Sequence, residues 1–203
     1  GNAVFDTTTL VVDASNNKVG IGTTSPQEML TVNSGTTGSS FIQVTNTTLG
    51  TGDNAGLYVG IQSDEDGYIG MRSNQPLAFA TNNTEAMRID SLGRLLVGKS
   101  VVDNTTVGFR FDGSSGFASF VRDGNASLLL VRKSSDGDIL QFKKDSSTVG
   151  SIGTAGGGAF YISDAAYGGL GFSTLGAGDI NPVNTTGGVR DAAADLGQPT
   201  ARF

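Results

Sequence analysis

Residues 93–100 match every position of a known phosphate-binding motif. The run Gly-Arg-Leu-Leu-Val-Gly-Lys-Ser fits the pattern G-x-x-x-x-G-K-[ST], in which backbone N–H groups and a lysine bind phosphates. That mechanism requires a flexible turn after a strand and a helix that begins at the lysine. Here Leu95, Leu96 and Val97 favour a strand, and further strand-like residues follow the lysine. The run is therefore predicted to be a strand of a repeat and not a nucleotide site.

Clustered carboxylates suggest two other functions, the binding of a metal ion and the hydrolysis of a glycosidic bond. Carboxylate oxygens at an acidic turn are the ligands that Ca²⁺ prefers, and a glycosidase needs two carboxyl groups that face each other across a bond. The candidates for both roles are Asp64, Glu65, Asp66, Asp136 and Asp138, and Asp191 and Asp195 are further candidates for a glycosidase pair. Nearly all of them stand in turn contexts that explain their presence, and the chain has no Trp to stack on a sugar. The sequence therefore predicts solvated turns, no enzymatic activity, and no catalytic, cofactor or metal site.

Composition narrows the classes of function further. The chain has 203 residues with no His and no Cys, so it lacks the commonest general base, the usual zinc ligands and any disulfide. Its net charge of −6 argues against binding to a phosphate backbone or to an anionic membrane surface. No apolar run approaches the ~18 residues of a membrane helix. We therefore expect neither a nucleic-acid partner nor insertion into a membrane.

Short strands joined by Asp-led turns are the repeating pattern of the chain. Residues 87–98 read as an apolar strand, a turn at Asp90–Gly93 and a second apolar strand that Gly98 ends. Residues 10–22 repeat this order with a turn one residue longer, at Asp13–Asn17. Both units predict a strand, a tight turn and an antiparallel strand.

The second half of the sequence continues the pattern with closer spacing. Turns at positions 112, 123, 136 and 145 separate further strands, one of which is predicted over Ser127–Arg132. This spacing is typical of an all-β meander. Only Val189–Leu196 has a composition that would allow a helix. We divide the chain into an N-terminal repeat region with two strand-turn-strand units, residues 1–100, and a β-meander with a Gly-rich stem, residues 101–203.

Glycine is the compositional outlier, at 31 of 203 residues. Short apolar strands with so many glycines are poorly suited to one thick core, so we expect thin layers or a core that several chains share. The alternation of Phe109 and Phe111 places both on one sheet face. Buried packing is the predicted role of the phenylalanines Phe109, Phe111, Phe117, Phe120, Phe142, Phe160 and Phe172.

Most of the chain resembles the shaft repeats of bacteriophage tail fibres and tailspikes. Residues 2–26 are similar to the fibre repeat, and residues 87–98 to the motif that commonly follows it. The segments that resemble the stem before a C-terminal trimerising or chaperone domain are 137–142, 149–153, 195–197 and 201–203. The resemblance implies an all-β, elongated, intertwined homotrimeric fibre of short-strand β-meanders with triple β-helix or β-prism-like repeats. It also implies a chain that is truncated at its C-terminus.

The function implied by this resemblance is structural: a trimeric shaft or adhesin of the virion, made in the host cytoplasm, for attachment to the host surface. Its partners would be further copies of itself, other virion tail proteins and a bacterial surface glycan or protein receptor. The polar loops 33–40, 48–56 and 156–178 are the predicted contact surface. Two alternatives stay open at this point: a polysaccharide-depolymerising tailspike, and a non-viral extracellular filament or surface protein.

Overall fold

The computed structural model describes residues 3–6, 9–166, 168–172 and 180–188. This part of the chain contains seventeen strands and no helix. The strands form four sheets, and every hydrogen-bonded pair except β3–β4 is antiparallel. The all-β class predicted from the sequence is confirmed. The possible helix at Val189–Leu196 lies outside the described residues.

Two compact units divide the chain between Ser127 and Leu128, and the first of them holds three sheets. The sequence predicts a division after residue 100, and β10 (Arg94–Val97) pairs with β11 (Gly108–Asp112) across that position. Sheet I consists of β1 (Ala3–Asp6), β2 (Leu10–Asp13), β3 (Lys18–Ile21) and β4 (Leu30–Val32). Sheet II consists of β5 (Ser40–Val44), β6 (Leu57–Ile61) and β7 (Gly67–Met71). Sheet III consists of β8 (Leu77–Thr81), β9 (Thr84–Ile89), β10 (Arg94–Val97), β11 (Gly108–Asp112) and β12 (Phe117–Val121).

The second unit contains sheet IV, and in all four sheets neighbouring strands follow one another in sequence. Sheets II, III and IV are antiparallel throughout and so have the order of a meander, whereas sheet I departs from it at the parallel pair β3–β4. Sheet IV consists of β13 (Gly137–Lys144), β14 (Ser147–Ala155), β15 (Ala159–Asp164), β16 (Gly169–Phe172) and β17 (Ile180–Val183).

Aspartates shape the turns of both strand-turn-strand units. Asp13 Oδ1 accepts hydrogen bonds from the backbone N–H groups of Ser15 (3.0 Å) and Asn16 (3.1 Å). Asp90 Oδ1 likewise accepts from the N–H groups of Leu92 and Arg94, both at 3.0 Å. A carboxylate that bonds the backbone two residues on replaces the ladder bonds that the turn interrupts. The two predicted units, β2–β3 and β9–β10, are confirmed.

The predicted strand at Ser127–Arg132 is wrong for the isolated chain. The backbone there is neither paired nor turned, and β12, which precedes it, pairs only with β11. The apolar side chains supply β propensity, but a strand also needs a neighbour to accept and donate its backbone hydrogen bonds. In the described part of the chain, no strand pairs with these residues.

Few large side chains are buried. The buried apolar residues are Val11, Ala55, Tyr58, Leu96, Tyr161 and Val183. The predicted burial of phenylalanines is wrong for six of them, whose exposed fractions lie between 40 % and 48 %: Phe111, Phe117, Phe120, Phe142, Phe160 and Phe172. Their spacing places them correctly on sheet faces, but within each sheet of the described residues these side chains stay partly exposed.

Gly22 and Gly35 provide a matched pair for testing how tightly sheet I is built. Their φ angles are +74° and +72°, but a Cβ atom on Gly22 would lie 1.9 Å from the Asn33 carbonyl oxygen, whereas one on Gly35 would meet nothing within 4 Å. Gly35→Ala should cost about 1 kcal/mol, because alanine disfavours a positive φ. Gly22→Ala should cost roughly 2 kcal/mol more, because the backbone of Asn33 must also move. Urea denaturation measures both, and equal losses would contradict this close packing.

Candidate functional site

The lysine of the phosphate-binding pattern is bonded within its own loop. Strand β10 ends at Val97, and the Lys99 side chain is 1 % exposed. Its Nζ donates to the Asp103 carbonyl oxygen (2.9 Å), the Asp103 carboxylate (3.2 Å) and the Thr106 carbonyl oxygen (3.0 Å). An ammonium group has three protons to donate, and these three acceptors account for them. The predicted strand over 94–97 is confirmed, and Lys99 closes the loop between β10 and β11.

Asp103 is the anionic centre of the same loop. Its carboxylate accepts hydrogen bonds from Thr106 through both the hydroxyl (2.7 Å) and the backbone N–H (2.7 Å), and a third from the Thr105 N–H (3.1 Å). These bonds, with the contribution of Lys99, hold the pKa of the Asp103 carboxyl well below its usual range. The loop is thus fixed by polar contacts in the absence of a hydrophobic core.

The acidic residues considered for metal or sugar chemistry have local structural roles. Asp136 Oδ2 accepts a hydrogen bond from the Gly157 N–H (2.7 Å), which links two loops of the second unit. Asp138 accepts from the Tyr161 hydroxyl (2.6 Å) and the Gln141 amide (2.9 Å), and the Tyr161 bond contributes most to lowering the Asp138 pKa. The cluster 64–66 forms the exposed tip of the β6–β7 hairpin. Among the described residues, no group of three or more acidic side chains is placed to hold a metal ion.

Two of the acidic candidates, Asp191 and Asp195, lie outside the described residues. An open depression of about 380 Å³ lies beside Asp136 and Arg132. The Arg132 guanidinium already donates to the Ser135 carbonyl oxygen (2.9 Å) and the Asp138 carbonyl oxygen (3.2 Å). The two charged groups of this depression, Arg132 and Asp136, are therefore bonded to the chain itself.

The outstanding surface feature is one apolar face on each of sheets II, III and IV. Side chains alternate between the two faces of a strand, and cross-strand partners share a face, so the registers assign every residue to its face. In sheet II the apolar face contains Ile42, Val44, Leu57, Val59, Ile61, Ile69 and Met71. Five of these, Ile42, Val44, Val59, Ile61 and Ile69, are 39–61 % exposed.

Sheets III and IV repeat this arrangement over five strands each. The apolar face of sheet III contains Leu77, Phe79, Met87, Ile89, Leu95, Val97, Phe109, Phe111, Ala118 and Phe120. That of sheet IV contains Leu140, Phe142, Ile152, Phe160, Ile162, Leu170, Phe172 and Pro182. Phenylalanines pair across strands on both faces, with ring centroids 4.8 Å apart for Phe109–Phe120 and 5.7 Å apart for Phe160–Phe172.

The opposite face of sheet II holds the loop 48–56 in place. Gln43 donates to the Ala55 carbonyl oxygen (2.9 Å), and both Tyr58 (3.1 Å) and Arg72 (3.2 Å) donate to the Asp53 carbonyl oxygen. The Arg72 guanidinium also lies 4.1 Å from the centroid of the Tyr58 ring. Residues 51–54 remain exposed at the crest of the loop. This predicted contact loop is therefore exposed at its crest and anchored by side chains of sheet II and by Arg72.

The other two predicted contact loops differ in what the structure describes. Residues 33–40 are bonded mainly among themselves, for example by the Gly35 N–H to the Asn33 side-chain oxygen (2.6 Å). Of residues 156–178, position 167 and positions 173–178 lie outside the described part of the chain. The sequence located the loops but did not reveal the anchoring of 48–56, which depends on side chains from strands β5 and β6 and on Arg72, the residue after β7.

Comparison with protein-family models, with curated proteins and with solved structures finds no match to this chain. No helix in the described residues is long and apolar enough to cross a membrane.

The Asp103 loop makes the stability of the chain sensitive to acid. Because the Asp103 pKa is lowered on folding, the unfolded chain binds a proton first, so the contribution of Asp103 is present above its unfolded pKa of about 3.9 and is lost as the pH falls below it. Asp103→Asn should lower the urea midpoint at pH 7 and flatten its decline between pH 5 and pH 2. Asp64→Asn, at the exposed hairpin tip, is the control and should retain the wild-type decline. A variant profile parallel to that of the wild type would contradict the assigned role of Asp103.

Proposed function

We propose that this chain is a structural segment of a bacteriophage tail fibre: a homotrimeric, elongated β-shaft of the virion that serves in attachment to the bacterial surface. The observation that carries the proposal is the apolar face on each of sheets II, III and IV. A soluble monomer rarely exposes contiguous apolar patches larger than a few hundred Å². Three such faces on one chain favour cover by other chains.

The energetics of the faces support self-association. Complete burial of one large apolar side chain contributes about 1.5–3 kcal/mol, so covering a half-exposed one contributes on the order of 1 kcal/mol. Sheets II, III and IV each carry at least five such side chains on one face. Copies of one chain bring identical faces together about a symmetry axis, and closed symmetry is the usual arrangement of homo-oligomers. The threefold number and the intertwining come from the resemblance to fibre repeats.

Attachment requires a surface that remains accessible once the apolar faces are covered. The crest of loop 48–56 meets this condition, because it is anchored on the opposite face of sheet II by Gln43, Tyr58 and Arg72. A preorganised loop loses less conformational entropy on binding than a disordered one. Three copies of one weak site on a rigid shaft also gain from effective concentration. The proposed partners are a bacterial surface glycan or protein receptor and other virion tail proteins.

Sedimentation velocity tests the assembly directly. The wild-type chain should sediment as an elongated species of three times 20.7 kDa. Ile69→Lys and Phe111→Lys each place a charge on an apolar face, where burial without a partner is costly, and should shift the protein towards 20.7 kDa. Leu92→Lys is the matched control, because Leu92 is 70 % exposed at a turn and on no apolar face, and it should leave the mass unchanged.

Two results would contradict the assembly. A compact wild-type species of 20.7 kDa would exclude the homotrimer. Equal dissociation of Leu92→Lys and the two face variants would show that the apolar faces are not what holds the oligomer together.

The attachment role can be tested with the labelled oligomer on a panel of bacterial cells. Thr51→Arg combined with Asn54→Arg crowds the exposed crest of loop 48–56 and leaves the anchoring side chains intact. Binding to a strain that captures the wild type should fall at least tenfold. Thr24→Arg combined with Ser25→Arg adds the same charge at exposed positions outside the contact loops and should bind normally. Full binding by the loop variant would remove loop 48–56 from the contact surface.

A further inference from the structure

Four consecutive apolar residues, Leu128–Val131, form a segment with which no described strand pairs. Their exposed fractions are 51 %, 80 %, 42 % and 69 % in chain order. No turn or bend interrupts the segment, and no backbone hydrogen bond from another described residue reaches it. We call Leu128–Val131 the unpaired segment.

The sequence before this segment encodes a hairpin partner for it. Strand β12 ends at Val121, and Asp123-Gly124 follows with a φ of +68° at the glycine, a conformation suited to a hairpin turn. β12 is an edge strand of sheet III and pairs on one side only, with β11. The chain therefore contains, in the order of a hairpin, a strand with an open edge, a turn signal and an apolar run.

The unpaired segment and β12 also match in the polarity of their two faces. An apolar run without alternation is typical of a strand that is covered on both faces. β12 has the same character, because Phe120 and Ala118 lie on the apolar face of sheet III and Phe117 lies on the opposite face. A strand added beside β12 would extend the apolar face of sheet III by one strand and place apolar side chains beside Phe117.

We infer that the unpaired segment of one copy pairs with the open edge of β12 in a neighbouring copy, so that a hairpin encoded within one chain is completed between two. Exchange of an identical element between protomers uses contacts that the sequence already encodes, with the residues 122–127 as the hinge. The pairing satisfies the backbone groups of both strands and removes an edge that would otherwise favour aggregation. This inference rests on the proposed homo-oligomer and specifies how its chains are linked.

Engineered disulfides test the pairing, because the chain contains no cysteine. Ser119 lies at the centre of β12, and neighbouring residues of the unpaired segment point to opposite faces, so Ser119→Cys is combined with Leu129→Cys in one variant and with Leu130→Cys in another. At least one double variant should oxidise to covalent species of twice 20.7 kDa or more on a non-reducing gel. The multimers should exceed those formed by each single-cysteine variant at least fivefold.

The outcomes separate this inference from the proposed assembly. If the wild type sediments as an oligomer but neither double variant forms excess multimers, the strand exchange is wrong and the assembly stands. A disulfide that forms within one chain shows that the hairpin closes intramolecularly and also overturns the exchange. Hydrogen exchange provides a second measurement: the amides of Leu128–Val131 should be protected in the wild-type oligomer, and exchange at the unprotected rate overturns the pairing. A wild type of 20.7 kDa overturns both proposals.

Discussion

In the described part of the chain, many large apolar side chains stay exposed to water. The other properties of the structure depend on this incomplete burial. Sheets II, III and IV each carry one apolar face, and five side chains on each face are 38–61 % exposed. A sheet needs a second layer to bury such a face, and short strands with small loops supply none. The same deficit appears along the backbone at Leu128–Val131, where apolar residues lack both cover and a hydrogen-bonding neighbour. In the proposed assembly, further copies of the chain would relieve both deficits.

Local hydrogen bonds and ion pairs fix the turns and loops of this chain, where a globular domain would rely more on a hydrophobic core. Asp13 and Asp90 fix the turns of the strand-turn-strand units, and Lys99 with Asp103 fixes the loop between β10 and β11. Each of these groups bonds partners only a few residues away, so the local structure depends little on long-range packing. Such a chain keeps its strands and turns in register while its apolar faces stay available for association.

The two faces of sheet II have different roles: one anchors loop 48–56, and the other is apolar. The face of sheet II with Tyr58 and Gln43 holds this loop through hydrogen bonds to its carbonyl oxygens, and the apolar face remains free. Association through the apolar face therefore leaves the loop exposed. A single thin sheet is thus compatible with assembly on one side and with presentation of a binding loop on the other.

The sequence by itself determined the local structure, because its signals act over a few residues: Asp-led turns, glycines at turn positions and the alternation of Phe109 with Phe111 specify strands and faces. It also indicated that the lysine of the phosphate-binding pattern follows a strand. Only the tertiary structure decided which faces are covered, because burial depends on a second layer that no local pattern reveals. For that reason Phe111 and Phe120 are exposed where burial was predicted. Likewise Leu128–Val131 has the composition of a strand, but no described residue pairs with its backbone, because pairing depends on where a partner strand lies in space.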